Sequence, residues 1–333
     1  MQGGIWISLF PVTYSLLSKQ AVGLHIQRNY EIGSVVKIQY FLRGMNDTYA
    51  IETDVDKYIF RIYRADRRSR PDIEFELELL RFLSANGISV SEPIPGKDGA
   101  YLSGFNVMEG TRYGVLFQYA EGHEMPIHAA ADSYRFGESI GHMHKAADQF
   151  ESRFARERLD MEFLIDQPLS IIRSYMKHRL TDCNYLSEMA TELKKRISDL
   201  KVQGLDWGVC HGDLHGNTNA AWTEDGKLTH YDFDLCGYGW RAYDIAEFRL
   251  AREIHSRHDP EEVERLWDAF LRGYCSVRSL SENDLAAVPV FVAVRQLWLF
   301  GLCFRDSEYV GIADFDEGFI DSKMQYFKRL EYV

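Results

Sequence analysis

Cysteine is scarce in this sequence, and its spacing excludes two kinds of site. The five cysteines of the 333-residue chain are odd in number and widely separated. No CxxC pair is present, whereas zinc knuckles and thioredoxin-type redox sites are built on such pairs. We therefore expect free thiols, which are typical of a reducing compartment.

Long apolar runs and a secretion signal are missing as well. A membrane-spanning helix needs about 18 consecutive residues that are mostly apolar, and no run of that length stands out. The apolar start of the chain lacks a positively charged segment and is interrupted by Pro11, which argues against a signal peptide. We expect a cytoplasmic protein that does not associate with membranes.

The chain also lacks an excess of positive charge, since its formal net charge is −12 at pH 7. Nucleic-acid binding draws most of its affinity from Lys and Arg contacts to phosphates, so we expect no nucleic-acid partner. The acidic balance would suit a cationic substrate, although acidity also serves solubility alone. The composition predicts no particular oligomeric state.

Alternating apolar patterns predict an antiparallel sheet in the first third of the chain. A short helix is expected over 12–28. Strands are then predicted over 35–42, 48–53 and 58–63, a helix over 71–86, and further strands around 100–102, 105–107 and 115–119. Because these strands do not alternate with helices, the simplest arrangement is an antiparallel sheet with one helix packed on it.

After residue 122 the apolar spacing is helical almost throughout. Helices are predicted over 131–149, 163–178, 184–200, 242–257, 260–275, 281–304 and 315–330, with short strands flanking 210–235. The fold class expected is α+β and bilobal. A small antiparallel-sheet lobe would span 1–118, and a mainly helical lobe would span 119–333.

One stretch contains residues suited to phosphoryl transfer. Residues 209–219 read VCHGDLHGNTN, and residues 230–234 read HYDFD. Transfer from ATP needs a carboxylate that orients and deprotonates the attacking hydroxyl, and oxygen ligands that hold magnesium against the phosphates. Asp213, a nearby Asn and Asp232 supply that set.

Two other interpretations of the same residues remain. Asp213 and Asp232 could be turn or helix-cap aspartates, although that does not account for their placement between strand-like segments. His211 and His215 have the spacing of zinc ligands, but no Cys or Glu completes such a site.

The HGD at 211–213, the following Asn and the DFD at 232–234 resemble the catalytic and metal loops of the aminoglycoside phosphotransferase and choline kinase superfamily. Residues 237–246 look like the subgroup with type II homoserine kinases and the bacterial stress-response kinase. The resemblance implies a bilobal protein-kinase-like fold, ATP and Mg²⁺ as cofactors, and a hydroxyl group as phosphate acceptor.

The resemblance also implies a role for individual residues of the catalytic loop and of the segments next to it. Asp213 is the catalytic base, Asp232 is a metal ligand, and Asp244 braces the catalytic loop. His211 and Asp234 are supporting residues. The family's metal-binding Asn falls five residues after the catalytic Asp, which is Thr218 here, so either Asn217 or Asn219 is the second ligand.

The resemblance extends into the first lobe. Arg61 stands where the family has a phosphate-contacting Lys, and Glu76 matches the Glu that pairs with it. A guanidinium also binds phosphate, in a bidentate geometry that differs from that of Lys. Gln118 and Tyr119 lie in a segment similar to the interlobe hinge whose backbone reads a purine, which leaves GTP open beside ATP.

The acceptor is left open by the sequence. Acidic residues between Asp306 and Glu317 favour a cationic small molecule, such as an amine-bearing antibiotic, in an enzyme of antibiotic resistance; they could equally be a solvated face. The alternatives are homoserine or another amino alcohol, and a protein serine or threonine. A pseudokinase that holds nucleotide without transfer is a further hypothesis, supported by Thr218 and Arg61.

Overall fold

The structure is a computed structural model, and it describes residues 11–255 and 260–330. Its described residues form two compact units. The first contains residues up to Arg81 together with Ser91–Ala120, and the second contains Phe82–Val90 and the described residues from Glu121 onward.

The first unit is an antiparallel sheet with helices packed on it. Its helices are α1 (Lys19–Asn29) and α2 (Arg70–Ala85), the last turn of which belongs to the second unit. Its strands are β1 (Val35–Arg43), β2 (Asp47–Thr53), β3 (Lys57–Ile62), β4 (Pro93–Ile94), β5 (Ser103–Val107) and β6 (Gly110–Gln118). The strand order is β1-β2-β3-β6-β4, and β5 also pairs with β6. Every pairing is antiparallel, which confirms the predicted sheet.

The alternation of buried and more exposed side chains along β2 explains how this sheet buries one face. Tyr49 and Ile51 point into a core that includes Val22 and Ile26 of α1, while Glu52 is exposed. A buried ion pair fixes the start of the same strand, because Arg112 Nη2 donates to Asp47 Oδ2 at 2.6 Å. Buried charges are retained in proteins when they are paired in this way.

Two predicted elements of this unit are wrong. The helix expected over 12–28 begins only at Lys19, because Ser15 is held by Glu109 in an extended segment and Ser18 caps the helix. No strand forms over 100–102. The carbonyl of Ala100 instead accepts from the Gly96 N–H at 2.7 Å, which closes a turn before β5.

The second unit is mainly helical, as predicted. It contains α3 (Ala130–Ala147), a π-helical segment (Glu162–Asp166), α4 (Gln167–Tyr175), α5 (Leu180–Gln203), β7 (Trp207–Cys210), β8 (Ala220–Trp222), β9 (Leu228–His230), a 3-10 turn (Phe233–Leu235), β10 (Gly237–Trp240), α6 (Arg241–His255), α7 (Pro260–Cys275), α8 (Glu282–Val310) and α9 (Glu317–Arg329). Strands β7 and β10 pair antiparallel, as do β8 and β9. The predicted catalytic loop connects β7 of the first pair to β8 of the second.

Several helix ends differ from the predictions. Helix α4 ends at Tyr175 rather than 178, α5 begins at Leu180, and α8 continues to Val310, where Gly311 ends it. The predicted end of α6 at 257 lies outside the described residues. Side-chain periodicity specifies the buried face of a helix, whereas its ends depend on local caps and contacts.

Helix α8 corrects our expectation about long apolar runs. By length and composition it could cross a membrane, and it is the only such helix in the described ranges. However, 72% of its most apolar stretch is buried inside the protein, where it packs on α4 and α6. Buried core helices pass the same test, so α8 is weak support for a membrane span.

Candidate active site

The predicted catalytic loop, residues 211–219, lies between β7 and β8. Two non-glycine residues in this region have positive φ: Asn219 at 63° and Asp232 at 62°. Such conformations cost about 1–3 kcal/mol each and persist where surrounding contacts enforce them, often at functional sites. Here they fall on two of the residues predicted to bind metal.

Asp213 is held by contacts to both of its carboxylate oxygens. Asn219 Nδ2 donates to Asp213 Oδ2 at 2.8 Å and to the Asp213 carbonyl at 3.1 Å. Arg295 of α8 donates to Asp213 Oδ1. The side chain keeps 17% of its surface exposed, so it is oriented and still accessible to a ligand.

Arg295 links helix α8 to the catalytic loop. Its Nη1 donates to the Gly212 carbonyl at 3.0 Å and to the Tyr243 hydroxyl at 2.8 Å, and it pairs with Glu247 Oε1 at 3.0 Å. Burial raises the pKa of Glu247 well above its usual range, and the guanidinium opposes that rise. Glu247 Oε2 also accepts the Leu214 N–H. The four contacts tie α6, α8 and the loop together.

Asp244 holds the first two residues of the loop. Its carboxylate accepts the backbone N–H groups of His211 at 2.7 Å and Gly212 at 2.8 Å. Gly212 has φ 83°, and a Cβ there would lie 2.4 Å from the Leu235 carbonyl oxygen, so only glycine fits. His144 Nε2 also bonds to Asp244, at 3.0 Å.

His144 leads to a prediction about pH and stability. Burial lowers the pKa of its imidazole below the ordinary value of about 6.5, although the bond to Asp244 opposes this. The unfolded chain then binds a proton that the folded chain does not bind, so the free energy of unfolding falls as the pH drops below about 6.5. We expect His144→Gln, which cannot titrate, to lose less unfolding free energy over that range. Urea unfolding on both sides of pH 6.5 checks this, and equal losses in both proteins would contradict it.

Asn217 and Asn219 have different surroundings. Arg252, which is fully buried, donates through Nη2 to Asn217 Oδ1 and to the His215 carbonyl. The amide oxygen of Asn217 is therefore occupied within the protein. Asn219 uses its Nδ2 on Asp213, and its Oδ1 makes only a long 3.5 Å contact with the Thr218 hydroxyl. Asn219 thus presents an oxygen beside Asp213.

The DFD segment contains one exposed and one buried aspartate. Asp232 is exposed, while Asp234 is buried. Arg156 Nε donates to the Cys236 carbonyl at 2.6 Å and Nη2 donates to that of Asp234, which fixes the backbone of the 3-10 turn. The His211 ring lies 4.2 Å from the Phe233 ring, and its Nε2 bonds to the Tyr231 carbonyl at 3.1 Å. His211 therefore braces this segment.

A zinc site at His211 and His215 gains no support. The two ring nitrogens of His215 contact Thr218 Oγ1 at 3.0 Å and the Asn217 N–H at 3.3 Å. Over residues 11–255 and 260–330, no three His, Cys, Asp or Glu side chains are grouped as metal ligands. Magnesium has a different requirement, since it takes one or two protein carboxylates and completes its shell with water and phosphate oxygens.

In the first unit, Arg61 of β3 and Glu76 of α2 are in contact. Arg61 Nη2 pairs with Glu76 Oε1, and the Tyr63 hydroxyl donates to Glu76 Oε2 at 2.9 Å. Both charged side chains are buried, and the guanidinium lies 4.7 Å from the ring centre of Phe117. The pair expected from the sequence is thus present, with a tyrosine added to it.

The predicted hinge residues differ in their backbone bonding. The Gln118 N–H donates to the Glu92 carbonyl at 2.8 Å, and its own carbonyl accepts from Ser91. These groups already have partners within the first unit. The Tyr119 N–H makes only a long 3.4 Å contact with the Lys57 carbonyl. Any purine-binding role of this segment therefore falls on Tyr119 more than on the Gln118 backbone.

Comparison with known proteins shows which family this arrangement belongs to. The phosphotransferase enzyme family matches residues 40–280, which include β2 to α7 and every predicted site residue. The chain belongs to this family. It is a phosphotransferase whose acceptor is an alcohol group, as predicted.

Individual relatives support the family assignment. An uncharacterized protein of Deinococcus radiodurans is 34% identical over 88% of this chain and 84% of its own length. Amicoumacin kinase of Bacillus subtilis is 26% identical over 80% of this chain and 79% of its own. A solved amicoumacin kinase in complex with AMP-PNP, Ca²⁺ and its antibiotic has a TM-score of 0.75 at 20% identity, covering 94% of this chain and 93% of that one. The last comparison confirms the fold.

Arg295 is a site residue of this family member that the sequence interpretation missed. It is a charge inside the apolar stretch AAVPVFVAVRQLWLFG at 286–301, and an unexplained charge in a core helix is the signal that could have identified it. Glu247 is a second residue that the sequence interpretation did not assign to the loop. The structure buries it against Arg295 and the Leu214 N–H.

Proposed function

We propose that this phosphotransferase moves the γ-phosphoryl group of ATP to a hydroxyl of a small molecule, with Asp213 as the base. The observation that supports this most directly is the orientation of Asp213 by Asn219 and Arg295 while it remains accessible. Enzymes of this type work by positioning and by stabilising charge, so a rigidly held carboxylate suits the task.

The proposed reaction accounts for every bond that is made or broken and for the proton that is released. The acceptor oxygen forms a bond to the γ-phosphorus, the bond from that phosphorus to the bridging oxygen of ADP breaks, and the hydroxyl proton passes to Asp213. A general base must lie within hydrogen-bond reach of the proton that it accepts. The bonds from Asn219 and Arg295 leave the exposed edge of the carboxylate for that contact.

Magnesium fits the oxygen donors of the second unit. Asp232 is exposed, and Asn219 Oδ1 has only a long internal contact, so both can serve as ligands. The ion would neutralise charge on the phosphates. We assign the second ligand to Asn219 rather than Asn217, because Arg252 already occupies the Asn217 amide oxygen.

This assignment predicts a difference between two neighbouring variants. We expect Asn219→Ala to raise the magnesium concentration needed for half-maximal ADP release about 10- to 100-fold. Asn217→Ala should keep the magnesium requirement of the wild type and lower the melting temperature, because Arg252 loses a buried partner. ADP release titrated with magnesium, beside thermal melts, checks both. The reverse pattern would make Asn217 the ligand.

Within the first unit, the Arg61–Glu76 pair and the hinge segment complete the nucleotide-binding proposal. Arg61 would contact phosphate, and Glu76 would hold it in place, as in the resemblance. Tyr119 and the exposed side chain of Gln118 would contact the purine, and we propose ATP rather than GTP by analogy with the family. Measuring turnover with both nucleotides decides this choice.

A small-molecule acceptor suits the structure better than a protein. Residues 233–240 consist of the 3-10 turn, Cys236 and β10, and α6 begins at Arg241. This leaves no loop between Asp232 and α6 that could serve as a platform for a peptide. The relatives include amicoumacin kinase and homoserine kinase, so we propose an antibiotic or a hydroxy amino acid as acceptor, the former in an enzyme of antibiotic resistance.

The acids that suggested a cationic acceptor serve several structural purposes. Asp316 caps α9, since its Oδ1 accepts the Phe319 N–H at 2.9 Å. Glu317 pairs with Arg179 at 2.9 Å and with His178 at 2.8 Å. A cationic acceptor therefore stays a competing hypothesis, with less support than the count of acids suggested.

A magnesium–ATP phosphotransfer assay tests the proposed function. The acceptors would be aminoglycosides, amicoumacin, homoserine, amino alcohols and a generic protein, with ADP release and product mass as readouts. Phosphate on a small molecule supports the proposal. Phosphate on protein alone favours the hypothesis of a protein serine/threonine kinase, and tight ATP binding without turnover identifies a pseudokinase. A cytoplasmic location is part of the proposal, and cell fractionation checks it.

A further inference from the structure

Lys323 of α9 is a partly buried cation whose surroundings are unusual. Its Nζ contacts Gln296 Oε1 at 3.5 Å and lies 5.6 Å from the ring centre of Phe319. Among the residues that the structure describes, no carboxylate pairs with it. Burial lowers the pKa of this ammonium group, and the nearby Cys303 thiol opposes the shift only in part. Charges withdrawn from water normally have a partner of opposite sign.

A second unpartnered polar group lies on the same helix. Tyr326 is three residues later on α9, so the two side chains share one face of the helix. The Tyr326 hydroxyl is buried and has no hydrogen-bond partner within the described ranges. Buried polar groups without partners are rare in folded proteins, and a ligand is one thing that satisfies them. Both groups can donate hydrogen bonds to an anion.

Helix α8 connects this pair to the catalytic base. Gln296, which contacts Lys323, directly follows Arg295, which contacts Asp213. Adjacent helix residues rise by about 1.5 Å, so the two contacts leave α8 at nearly the same level along its axis. Successive residues of a helix point about 100° apart, so Lys323 and Asp213 are reached from neighbouring faces of α8 at nearly the same height. Arg295 itself has its Nη groups bound to protein and is not the ligand-binding cation.

We propose that Lys323, with the Tyr326 hydroxyl and the Gln296 amide, forms an anion subsite that binds a carboxylate or phosphate group of the acceptor alcohol. The inference rests on the proposed kinase function and names its substrate class: hydroxy acids, hydroxy amino acids or phosphorylated alcohols. An ammonium group on the acceptor would be repelled from this position and would have to lie elsewhere. The subsite would place the anionic end of the acceptor away from the hydroxyl that Asp213 deprotonates.

The test uses matched probes that differ in one group. The first three are 3-hydroxypropionate, propane-1,3-diol and 3-amino-1-propanol, and 3-hydroxypropyl phosphate distinguishes phosphate from carboxylate. Binding to the full chain with magnesium and a non-hydrolysable ATP analogue is measured by saturation-transfer NMR. We expect the anionic probes to bind at least tenfold more tightly than the diol, and Lys323→Gln to weaken them about 10- to 100-fold. Lys323→Arg should recover most of the binding.

A second lysine of the same helix provides the control. Lys328 is exposed and pairs with Asp182 at 3.6 Å, so Lys328→Gln removes the same charge from α9 and should leave probe binding unchanged. Equal or weaker binding of the anionic probes than of the diol would overturn the subsite, as would an unchanged affinity in Lys323→Gln. ATP consumption is measured separately. Anion binding without any phosphotransfer would contradict the proposed function and leave the subsite standing.

Discussion

Replacing Asp213 by Asn is expected to reduce phosphotransfer about 10³-fold and to leave nucleotide binding unchanged, because the amide cannot accept the hydroxyl proton. An asparagine keeps the shape of the carboxylate, and its Oδ1 can still accept from Arg295. The loop backbone is held by Asp244 and Glu247, which the substitution does not touch. The first effect is measured as kcat for ADP release, with an acceptor that the wild type phosphorylates. The second is measured as the Kd for ATP.

Asp225 supplies the matched control for this variant. It lies on the turn between β8 and β9, where its carboxylate accepts from the Thr223 hydroxyl, and it is exposed. Asp225→Asn makes the same chemical change away from the loop and should keep wild-type activity. If Asp213→Asn retained more than about a tenth of the activity, another group would have to be the base.

Arg295 is the residue from which we expect the second large effect. Arg295→Met should lower kcat about 10²-fold, because Asp213 loses the contact that holds its Oδ1. A shift of about 1 Å in the position of a catalytic group lowers the rate by about that factor. The KM for ATP should change much less, since Arg295 contacts no proposed nucleotide-binding residue. Stability should fall by about 3–5 kcal/mol, because the Arg295 partner Glu247 stays buried without a counter-charge.

Two further variants separate positioning from a general loss of stability. Arg295→Lys keeps the charge but not the planar fork, so it should restore part of kcat and much of the melting temperature. Arg196→Met removes an arginine from a partly exposed ion pair with Glu192 on α5, away from the catalytic loop, and should alter neither quantity appreciably. A fall in melting temperature with an unchanged kcat in Arg295→Met would make Arg295 structural only.

The local parts of the site were predictable because they lie close together in the sequence. Asp213, Asn219 and Asp232 belong to two loops bounded by short strands, and the N–H of Tyr231, next to Asp232, donates to the Asn219 carbonyl at 3.0 Å. The contact between Arg61 and Glu76 followed similarly from one strand and the next helix. The sheet pairing and the helical second unit were also correct, since apolar periodicity indicates buried faces.

Predictions failed where contacts between distant segments decide the structure. The beginning of α1 depends on Ser15 bonding to Glu109, 94 residues later, and no local pattern contains that information. The role of Arg295 depends on a contact 82 residues away in the sequence. The choice between Asn217 and Asn219 rests on Arg252, whose side chain reaches the loop only after α6 has packed beside it.

The sequence by itself thus determined the family, most of the strands and helices, and the residue types in the proposed catalytic and metal loops. These properties depend on residue type and short-range spacing, which the chain carries before it folds. The tertiary structure decided which asparagine oxygen has only a long internal contact, which arginine holds Asp213, and where a cation is left without a carboxylate. Those outcomes depend on burial and on pairing between distant segments, because an unpaired charge is costly only after packing has removed water from it.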